Sequence, residues 1–317
     1  MCDNKKNIIC VIVTYNRLSL LKESIGAVKA QTYPVSRILI IDNHSTDGTA
    51  DYLAPFTVEA DGIEVITMPV NVGGSGGFSE GIKRAALHRA DWIWVMDDDT
   101  VPTPAALAEM MCHEGMPKLG FMCSKVVWTD GEPHKMNIPE MYKPHETERS
   151  TLLKDNPLPD DDSVVPIKSA SFVSVLIKGD IPFEVGLPYK EFFIWSDDIE
   201  YTRRFTAHGY IGLFATKSLV VHKTDVNYVS SLDTIPAAAA WKLTYGERNV
   251  TFLKRKRKGW VKFLFSYLNT MRVHLHRVKR RHLPKDEEQA LLKAIRTGMW
   301  RGLWFSPKIE YIAHNQA

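Results

Sequence analysis

The stretch "WIWVMDDDTVP" (residues 92–102) places three consecutive aspartates directly after an apolar run. Like charges side by side repel one another, and aspartate is disfavoured inside both helices and strands. Three carboxylates held together therefore indicate a solvated turn, a bound metal ion or a positively charged partner.

This stretch closes a series of alternating strand and helix patterns. Apolar strand-like runs at 8–16, 37–43, 63–71 and 92–99 alternate with helical patterns at 18–31, 45–56 and 77–90. This order predicts an α/β fold, with a mainly parallel central sheet flanked by helices. Ligands bind beyond the carboxyl ends of such strands. The polar residues expected along that rim are Thr14, Tyr15, Asn16, Asp42, Asn43, Asn71, Asp97, Asp98 and Asp99.

The second half of the chain has a different pattern. Residues 116–166 are rich in Pro, Asp, His and Lys, and we expect a solvated loop at 156–166. A strand or strand pair is predicted at 169–180, a helix at 192–210 and a strand at 211–222, with helices after about 235. We therefore predict a catalytic domain at 1–230 and a helical C-terminal region at 231–317.

The charge of the chain is concentrated in one segment. The net charge is only +3, yet residues 254–281 contain eleven Lys/Arg and no Asp/Glu. Aromatic and aliphatic residues recur there at helical spacing, which predicts a basic amphipathic helix on an anionic membrane surface. The alternatives are a nucleic-acid contact, which we do not expect, and a packed helix with a solvated basic face.

The chain shows no secretory leader pattern and no run of about 18 apolar residues, the length that a spanning helix needs. Its four cysteines lack CxxC or zinc spacing, which favours reduced thiols. We expect a cytoplasmic protein, peripheral on the inner face of the cell membrane.

The aspartates of the opening stretch suit a divalent cation. Alternate residues of an extended segment point the same way, so Asp97 and Asp99 can face one ion while Asp98 turns away. Mg²⁺ takes one or two carboxylates together with phosphate oxygens, and Mn²⁺ accepts imidazole more readily. His222 joins this site only if the fold brings it near Asp99, since a lone histidine is usually structural.

Two further motifs have a structural and a functional interpretation. "WSDDIEYTRR" (195–204) offers Ser196 or Asp197 as a helix cap, with Glu200 at capping-box spacing. Capping needs only one of these side chains, so a spare carboxylate remains as a possible general base. "NVGGSGGF" (71–78) either holds a phosphate at a helix start or forms a tight turn; it departs from the dinucleotide and P-loop patterns.

Taken in order, "VIVTYNR" (11–17), "IIDNHSTDGT" (40–49), "NVGGSGGF", "MDDD" (96–99) and "WSDDIEYTRR" resemble the family 2 inverting glycosyltransferases, which have the GT-A fold. The resemblance covers about residues 7–222. The forms "GGSGGF", "DDD" and "FFIWSDDIEY" are most similar to the galactofuranosyltransferase branch, and rhamnosyltransferases share much of the pattern.

The resemblance implies a role for each matching residue. Asp97, Asp99 and His222 would hold Mn²⁺ or Mg²⁺. Asp198 would be the base, with Asp197 beside it, and Trp195 and Asp198 would shape the acceptor site. Arg248, in "YGERN" (245–249), would face the diphosphate. The implied donor-binding residues are Thr14, Tyr15, Asn16, Arg17, Asp42, Asn71, Gly73, Gly74, Asp97 and Asp98.

The resemblance also implies a reaction. The enzyme would move galactofuranose from UDP-galactofuranose onto a glycan or lipid-linked acceptor in bacterial cell-surface polysaccharide synthesis, adding a limited number of sugars. A rhamnosyltransferase using dTDP-rhamnose is the alternative within the family. A non-catalytic nucleotide- or polyanion-binding module is the alternative of another class, and an oligomer is possible.

Overall fold

The apolar run at 8–14 forms strand β1 (Ile8–Thr14), which is buried along its whole length. Ile9, Val11 and Val13 pack into one hydrophobic cluster and their alternating neighbours into a second. Because successive strand residues point to opposite faces, both faces of the sheet are covered. This computed structural model describes residues 5–159, 162–227 and 231–313.

Over the described residues, ten strands form one sheet. Besides β1 they are β2 (Arg37–Asp42), β3 (Ile63–Thr67), β4 (Trp92–Asp97), β5 (Thr100–Pro102), β6 (Leu119–Val127), β7 (Glu140–Met141), β8 (Val164–Ser169), β9 (Val175–Lys178) and β10 (Ile211–His222). The order is β3-β2-β1-β4-β9-β6-β10-β8-β7, and β5 pairs with β10.

The helices carry the remaining regular structure. They are α1 (Leu18–Lys29), α2 (Thr49–Leu53), α3 (Val58–Asp61), α4 (Gly73–Leu87), α5 (Ala106–Met111), α6 (Pro144–Arg149), α7 (Thr151–Asp155), α8 (Ile181–Val185), α9 (Asp197–Ala207), α10 (Ala240–Arg257), α11 (Trp260–Lys279) and α12 (Lys285–Trp304), with 3₁₀ turns at Lys190–Phe192 and Ala237–Ala239.

The sheet is mixed. Strands β3, β2, β1 and β4 run parallel, as their alternation with helices predicts. Beyond β4 the sheet changes character, because β9 pairs antiparallel with both β4 and β6. Strand β10 then runs parallel to β6 and antiparallel to β8. The parallel half was therefore predicted from sequence, and the antiparallel half was not.

Two sequence expectations need correction. Residues 119–127, where no strand was predicted, form the buried interior strand β6. The predicted helix at 192–210 begins only at Asp197, because Phe193, Trp195 and Ser196 have positive φ angles. In the loop expected at 156–166, strand β8 begins at Val164, and residues 160–161 lie outside the described residues.

The described chain divides into two compact units. The first contains the sheet and comprises residues 5–190, 198–227 and 309–313. The second comprises residues 191–197 and 231–308, with a core built from helices α10, α11 and α12. Two stretches thus depart from the single boundary predicted at 230: residues 191–197 belong to the helical unit, and 309–313 belong to the sheet unit. No helix of the described residues is long and apolar enough to cross a membrane.

Most of the glycine-rich motif forms the first turns of α4, so the helix begins at Gly73, before the predicted start at 77. Gly73 begins the helix with a φ of +74°. Farther along, a methyl group added at Gly77 would lie 2.5 Å from Val13 Cγ1, and one at Gly81 would lie 2.3 Å from Val11 Cγ1. The glycines at 77 and 81, one helical turn apart, let α4 lie directly on β1.

We predict that Gly81→Ala lowers the free energy of unfolding by about 1–3 kcal/mol, because the new methyl group overpacks the contact with Val11. Gly26→Ala, in helix α1, is the matched control, since a methyl group there meets nothing within 4 Å. Helix propensity should make that variant more stable by about 0.5–1 kcal/mol. Denaturant unfolding followed by circular dichroism measures both, and equal stabilities would refute the packing role.

Candidate active site

The three aspartates occupy the end of β4 and the turn that follows it. Asp97 is the last residue of the strand, and Asp98 and Asp99 form the turn into β5. Asp98 and Asp99 are both buried, and Asp97 is partly buried. Strand β5 pairs antiparallel with the end of β10, and this register sets Thr100 opposite His222. The pairing delivers a histidine from far along the chain to the aspartates.

Asp97, Asp99 and His222 form a cluster in which one ligand atom from each lies within 4.8 Å of the others. The Nε2 atom of His222 is 3.0 Å from Oδ1 of Asp99. Two neighbouring ligands of an octahedral ion with bonds of about 2.1 Å lie about 3.0 Å apart. The side chains therefore fit a divalent cation without rearrangement of this pair.

The orientation of His222 is fixed by Asn137. The Nδ1 atom of His222 lies 2.8 Å from Oδ1 of Asn137, and the Asn137 amide nitrogen donates to Ser171 Oγ at 2.9 Å. Nδ1–H must then be the donor, because Oδ1 can only accept. In a neutral imidazole this leaves a lone pair on Nε2, facing a carboxylate oxygen. Two acceptors at this distance need a cation between them, either a proton or a metal ion.

The ring of His134 stacks on His222 with centroids 4.5 Å apart. Its Nε2 atom lies 2.9 Å from Thr224 Oγ1. Burial lowers the pKa of His134 to about 4, with a further contribution from His222. A neutral ring at this position keeps additional positive charge away from the cluster. Asn137 and His134 were not identified from sequence, because a lone Asn or His within a polar stretch carries no spacing signal.

Asp98 turns away from this cluster, toward the end of β1. It accepts hydrogen bonds from Thr14 Oγ1 at 2.8 Å and from the Tyr15 backbone N–H at 3.3 Å. Arg17 bridges the acids, at 3.3 Å from Asp98 and 2.5 Å from Asp99. Thr14 and Arg17 are thus engaged with the carboxylates, whereas the Tyr15 side chain is exposed.

The electrostatics of the aspartates follow from their crowding. Burial, and then the charges of Asp99 and Asp98, raise the pKa of Asp97 well above its usual range. Burial likewise raises the pKa of Asp98 to about 6. Burial opposes ionisation of Asp99 too, but its hydrogen bond and electrostatic interaction with His222, together with Arg17, lower its pKa. A cation bound among these groups would relieve the repulsion.

A second polar group lies at the ends of the neighbouring strands. Asp42 is fully buried, and its Oδ1 atom accepts a hydrogen bond from the Ser45 backbone N–H at 3.0 Å. Its Oδ2 atom and Asn43 Oδ1 are buried without a hydrogen-bond partner among the described residues. Because burying an unpaired polar atom is costly, these two oxygens are candidates to receive hydrogen bonds from a ligand.

The predicted residues at the start of α4 lie close to this group. Asn43 donates from its amide to the Gly73 carbonyl at 3.0 Å, and Asn71 Oδ1 accepts from the Gly73 N–H at 2.8 Å. Both asparagines thus shape the first turn of α4. Gly74, farther into that turn, has only the Phe78 ring within 4 Å of an added Cβ. Asn16 is engaged elsewhere, since its Oδ1 accepts from the Thr46 N–H at 2.6 Å.

Helix α9 brings a further carboxylate to the sheet unit. Burial raises the pKa of Asp198 to about 6, against stabilising backbone N–H groups that include Ile199. The charge of Asp198 in turn raises the pKa of Asp97, which makes the two carboxylates electrostatic neighbours. Glu200 forms a buried ion pair with Arg204. Its carboxylate therefore serves Arg204 instead of the predicted capping box.

One residue predicted for the acceptor site and one predicted for catalysis belong to the helical unit. Trp195 and Asp197 belong to the helical unit, where the indole of Trp195 packs on Gly246. A methyl group added at Gly246 would lie 2.7 Å from that ring, so the indole has a structural contact of its own.

The Glycosyl transferase family 2 profile matches residues 9–178, more than half of the chain. The chain belongs to glycosyl transferase family 2. The family predicted from its motifs is thereby confirmed.

Curated relatives of this family 2 glycosyltransferase include galactofuranosyltransferase GlfT1. The chain is 24% identical over 203 residues to GlfT1 of Mycolicibacterium smegmatis, and 26% identical over 209 residues to GlfT1 of Mycobacterium tuberculosis strain H37Rv. Each alignment covers 64% of this chain and 66% of the relative, just under two thirds of its length. Glycosyltransferase AglE of Haloferax volcanii is 23% identical over 214 residues, covering 67% of this chain and 65% of AglE.

Solved structures share the fold of this transferase. GalNAc-T7, crystallised with UDP, GalNAc and Mn²⁺, superposes with a TM-score of 0.62 at 14% identity, covering 95% of this chain and 57% of that one. The mannosyltransferase PcManGT of Pyrobaculum calidifontis, in complex with GDP-Man and Mn²⁺, gives 0.55 at 14% identity, covering 95% and 88%. The predicted GT-A fold is confirmed.

We predict that Asn137→Ala weakens Mn²⁺ binding by about 10- to 100-fold, because His222 loses the acceptor that sets its tautomer and orientation. Titration of Mn²⁺ followed by electron paramagnetic resonance measures the affinity directly. Asn156→Ala is the matched control, since among the described residues that amide donates to the Leu152 carbonyl, four positions back in the chain. Equal affinities in the two variants would exclude a role for Asn137 in metal binding.

Proposed function

We propose that this family 2 glycosyltransferase is a metal-dependent, inverting enzyme that transfers galactofuranose from UDP-galactofuranose to an acceptor hydroxyl. The observation that carries the proposal is the cluster of Asp97, Asp99 and His222 at the end of β4, with the extra carboxylate of Asp198 nearby. In such a site, the cluster can hold a cation while the carboxylate of Asp198 accepts a proton.

The relatives and the structural neighbours support the choice of donor. The neighbours GalNAc-T7 and PcManGT were crystallised with Mn²⁺ and with UDP or GDP-Man, which supports a nucleotide-sugar donor and a divalent cation here. The relatives named galactofuranosyltransferase support UDP-galactofuranose. The alternative within the family is dTDP-rhamnose, which differs in the base and in the hydroxyls that the site would recognise.

The reaction can be assigned to residues of the chain. A divalent cation held by Asp97, Asp99 and His222 would offset the negative charge that develops on the departing diphosphate. Asp42 and Asn43 would receive hydrogen bonds from the nucleoside through their unpaired oxygens. The proposed donor site also includes Tyr15, Asn16, Asn71, Gly73 and Gly74, with Asp98 holding Thr14 and Arg17 in place.

Asp198 would remove the proton from the acceptor hydroxyl as the hydroxyl oxygen attacks the anomeric carbon of the donor sugar. The bond to the diphosphate breaks on the opposite side, so one displacement inverts the configuration. A carboxylate with a raised pKa is a better base than an ordinary aspartate and is still ionised at neutral pH. Asp197 would assist, and Trp195 would line the acceptor side.

We predict that Asp198→Asn lowers the transfer rate by about 10²- to 10⁴-fold, because the amide cannot take up the proton. Binding of UDP with Mn²⁺ should be unchanged by calorimetry. Asp180→Asn, at the exposed start of α8, is the control and should transfer normally. In the wild type, kcat/KM should rise with pH through about 6, as Asp198 loses its proton. Turnover close to wild type in Asp198→Asn would remove this residue as the base.

A donor screen tests the proposed substrate. The protein is incubated with Mn²⁺, synthetic galactofuranosyl and rhamnosyl acceptors, and either UDP-galactofuranose, UDP-galactopyranose or dTDP-rhamnose. Mass spectrometry should find a mass gain of one or a few hexoses with UDP-galactofuranose. Transfer only from dTDP-rhamnose would establish the alternative. Nucleotide binding without transfer from any donor would instead favour a non-catalytic module.

The acceptor that we propose is a lipid-linked glycan, which would place the enzyme on the inner face of the cell membrane. Helix α11 supplies a suitable surface within the helical unit. Phe265 and Trp260 are 73% and 71% exposed. Together with Val261, Leu264 and Leu268 they form one exposed stripe, in which neighbouring members lie one, three or four residues apart. Arg272, His276 and Lys279 continue the same helical face, and such an apolar and basic surface suits anionic lipid.

We predict that the double variant Phe265→Ser/Leu268→Ser loses at least about tenfold in binding to vesicles, because two apolar side chains no longer enter the lipid. Sedimentation with vesicles of phosphatidylcholine and phosphatidylglycerol measures this, and pure phosphatidylcholine should bind weakly. Val70→Ser, an equally exposed apolar residue of the sheet unit, is the control. Unchanged sedimentation of the double variant would exclude this face as the membrane contact. So would the finding that the wild type is a dimer and the double variant a monomer, because the face would then bind a second copy of the chain.

A further inference from the structure

The segment at 191–197 holds an unusual backbone conformation. Phe193, Trp195 and Ser196 have φ angles of 66°, 65° and 73°. Bulky L-residues rarely adopt this left-handed region, because Cβ then crowds the backbone. Three such residues among four consecutive positions persist only where surrounding contacts hold them, and conformations of this kind cluster at functional sites.

Asn249, on helix α10, makes those contacts. Its amide nitrogen donates to the carbonyl oxygens of Phe192, Ile194 and Trp195 at 3.0, 3.1 and 3.0 Å. The side chain is fully buried. A single amide group thus forms hydrogen bonds to three backbone carbonyls, which the turns at 193–196 direct to the same point within the helical unit.

Arg248 completes the arrangement around this amide. The Nε and Nη2 atoms of Arg248 donate to Asn249 Oδ1 at 3.1 and 3.0 Å, which fixes the amide with its nitrogen toward the segment. The same Nη2 atom also donates to the carbonyls of Glu191 and Phe192. The guanidinium lies 3.9 Å from the ring centroid of Phe305. These contacts turn the guanidinium of Arg248 to the backbone of the segment.

The segment at 191–197 leads directly into α9, whose first residues are Asp197 and Asp198. Trp195 lies within it and is packed on Gly246 of α10. The backbone path of 193–196 therefore sets where Trp195 points and where α9 begins. An error of about 1 Å in placing a reacting group can reduce a rate about 100-fold.

We propose that Asn249 is a positioning residue for sugar transfer, which holds the 191–197 segment and with it Trp195 and Asp197. This inference rests on the proposed roles of Trp195 on the acceptor side and of Asp197 beside the base. Asn249 acts through the segment and does not itself touch a substrate. The chemistry requires an amide at this position, since the group must donate to carbonyls and accept from Arg248 at once.

The decisive variant is Asn249→Asp. It keeps the shape of the side chain and an acceptor for Arg248, but it replaces the N–H donors with a second oxygen facing three carbonyls. We expect kcat to fall about 100-fold, with the affinity for Mn²⁺ and UDP unchanged by calorimetry. Hydrogen exchange of the amides at 193–197 should become faster, while the β1 amides keep their protection. Asn249→Ser serves in the same assays if the aspartate does not fold.

Asn269→Asp, an exposed position on α11, is the matched control and should behave as wild type in every assay. A folded Asn249→Asp protein with wild-type kcat overturns the inference. So does a parallel loss of UDP affinity and of exchange protection across β1, which would mean that Asn249 only stabilises the fold. If the wild type transfers no sugar, the proposed function fails, and hydrogen exchange at 193–197 still decides whether Asn249 holds the segment.

Discussion

The mutual repulsion of three carboxylates at the end of β4 is the constraint on which the rest of the site depends. Asp97, Asp98 and Asp99 are adjacent in sequence and largely removed from water, so each opposes ionisation of the others. The fold answers with Arg17 from the start of α1 and His222 from the end of β10. The aspartates also divide by direction, since Asp98 turns to β1 while the other two face His222.

This division depends on the antiparallel half of the sheet. In a purely parallel sheet, the rim would carry only the polar ends of β1 to β4. The short strand β5 follows Asp99 and pairs antiparallel with β10. This pairing brings His222 into contact with Asp99. Asn137 then holds the imidazole from the opposite side. The proposed cation site would therefore be assembled by two different kinds of strand pairing.

The parts of this structure that sequence could predict are those with a local signal. Strands β1 to β4 are apolar runs of defined length followed by polar residues, so both their existence and the rim position of Asp42 and Asp97 could be inferred. Strand β6 could not, because it lies in a stretch whose average composition resembles a loop. Asn137 and Asn249 act through pairings across 85 and more than 50 residues. No spacing rule marks such residues, because their partners depend on tertiary packing.

The charges of the site lead to one further step. Three ionised aspartates and the guanidinium of Arg17 leave two negative charges, which one divalent cation would neutralise with His222 uncharged. A second cationic side chain in contact with the cluster would compete with the metal ion. The neutral ring of His134 beside His222, with a pKa lowered to about 4, meets this requirement. Arg17, half exposed at the edge of the acids, supplies one positive charge and leaves the face of Asp97, Asp99 and His222 to the ion. The stack of two histidines is thus part of the electrostatics of the site: one ring turns Nε2 toward Asp99, and the other fills space next to it without adding charge.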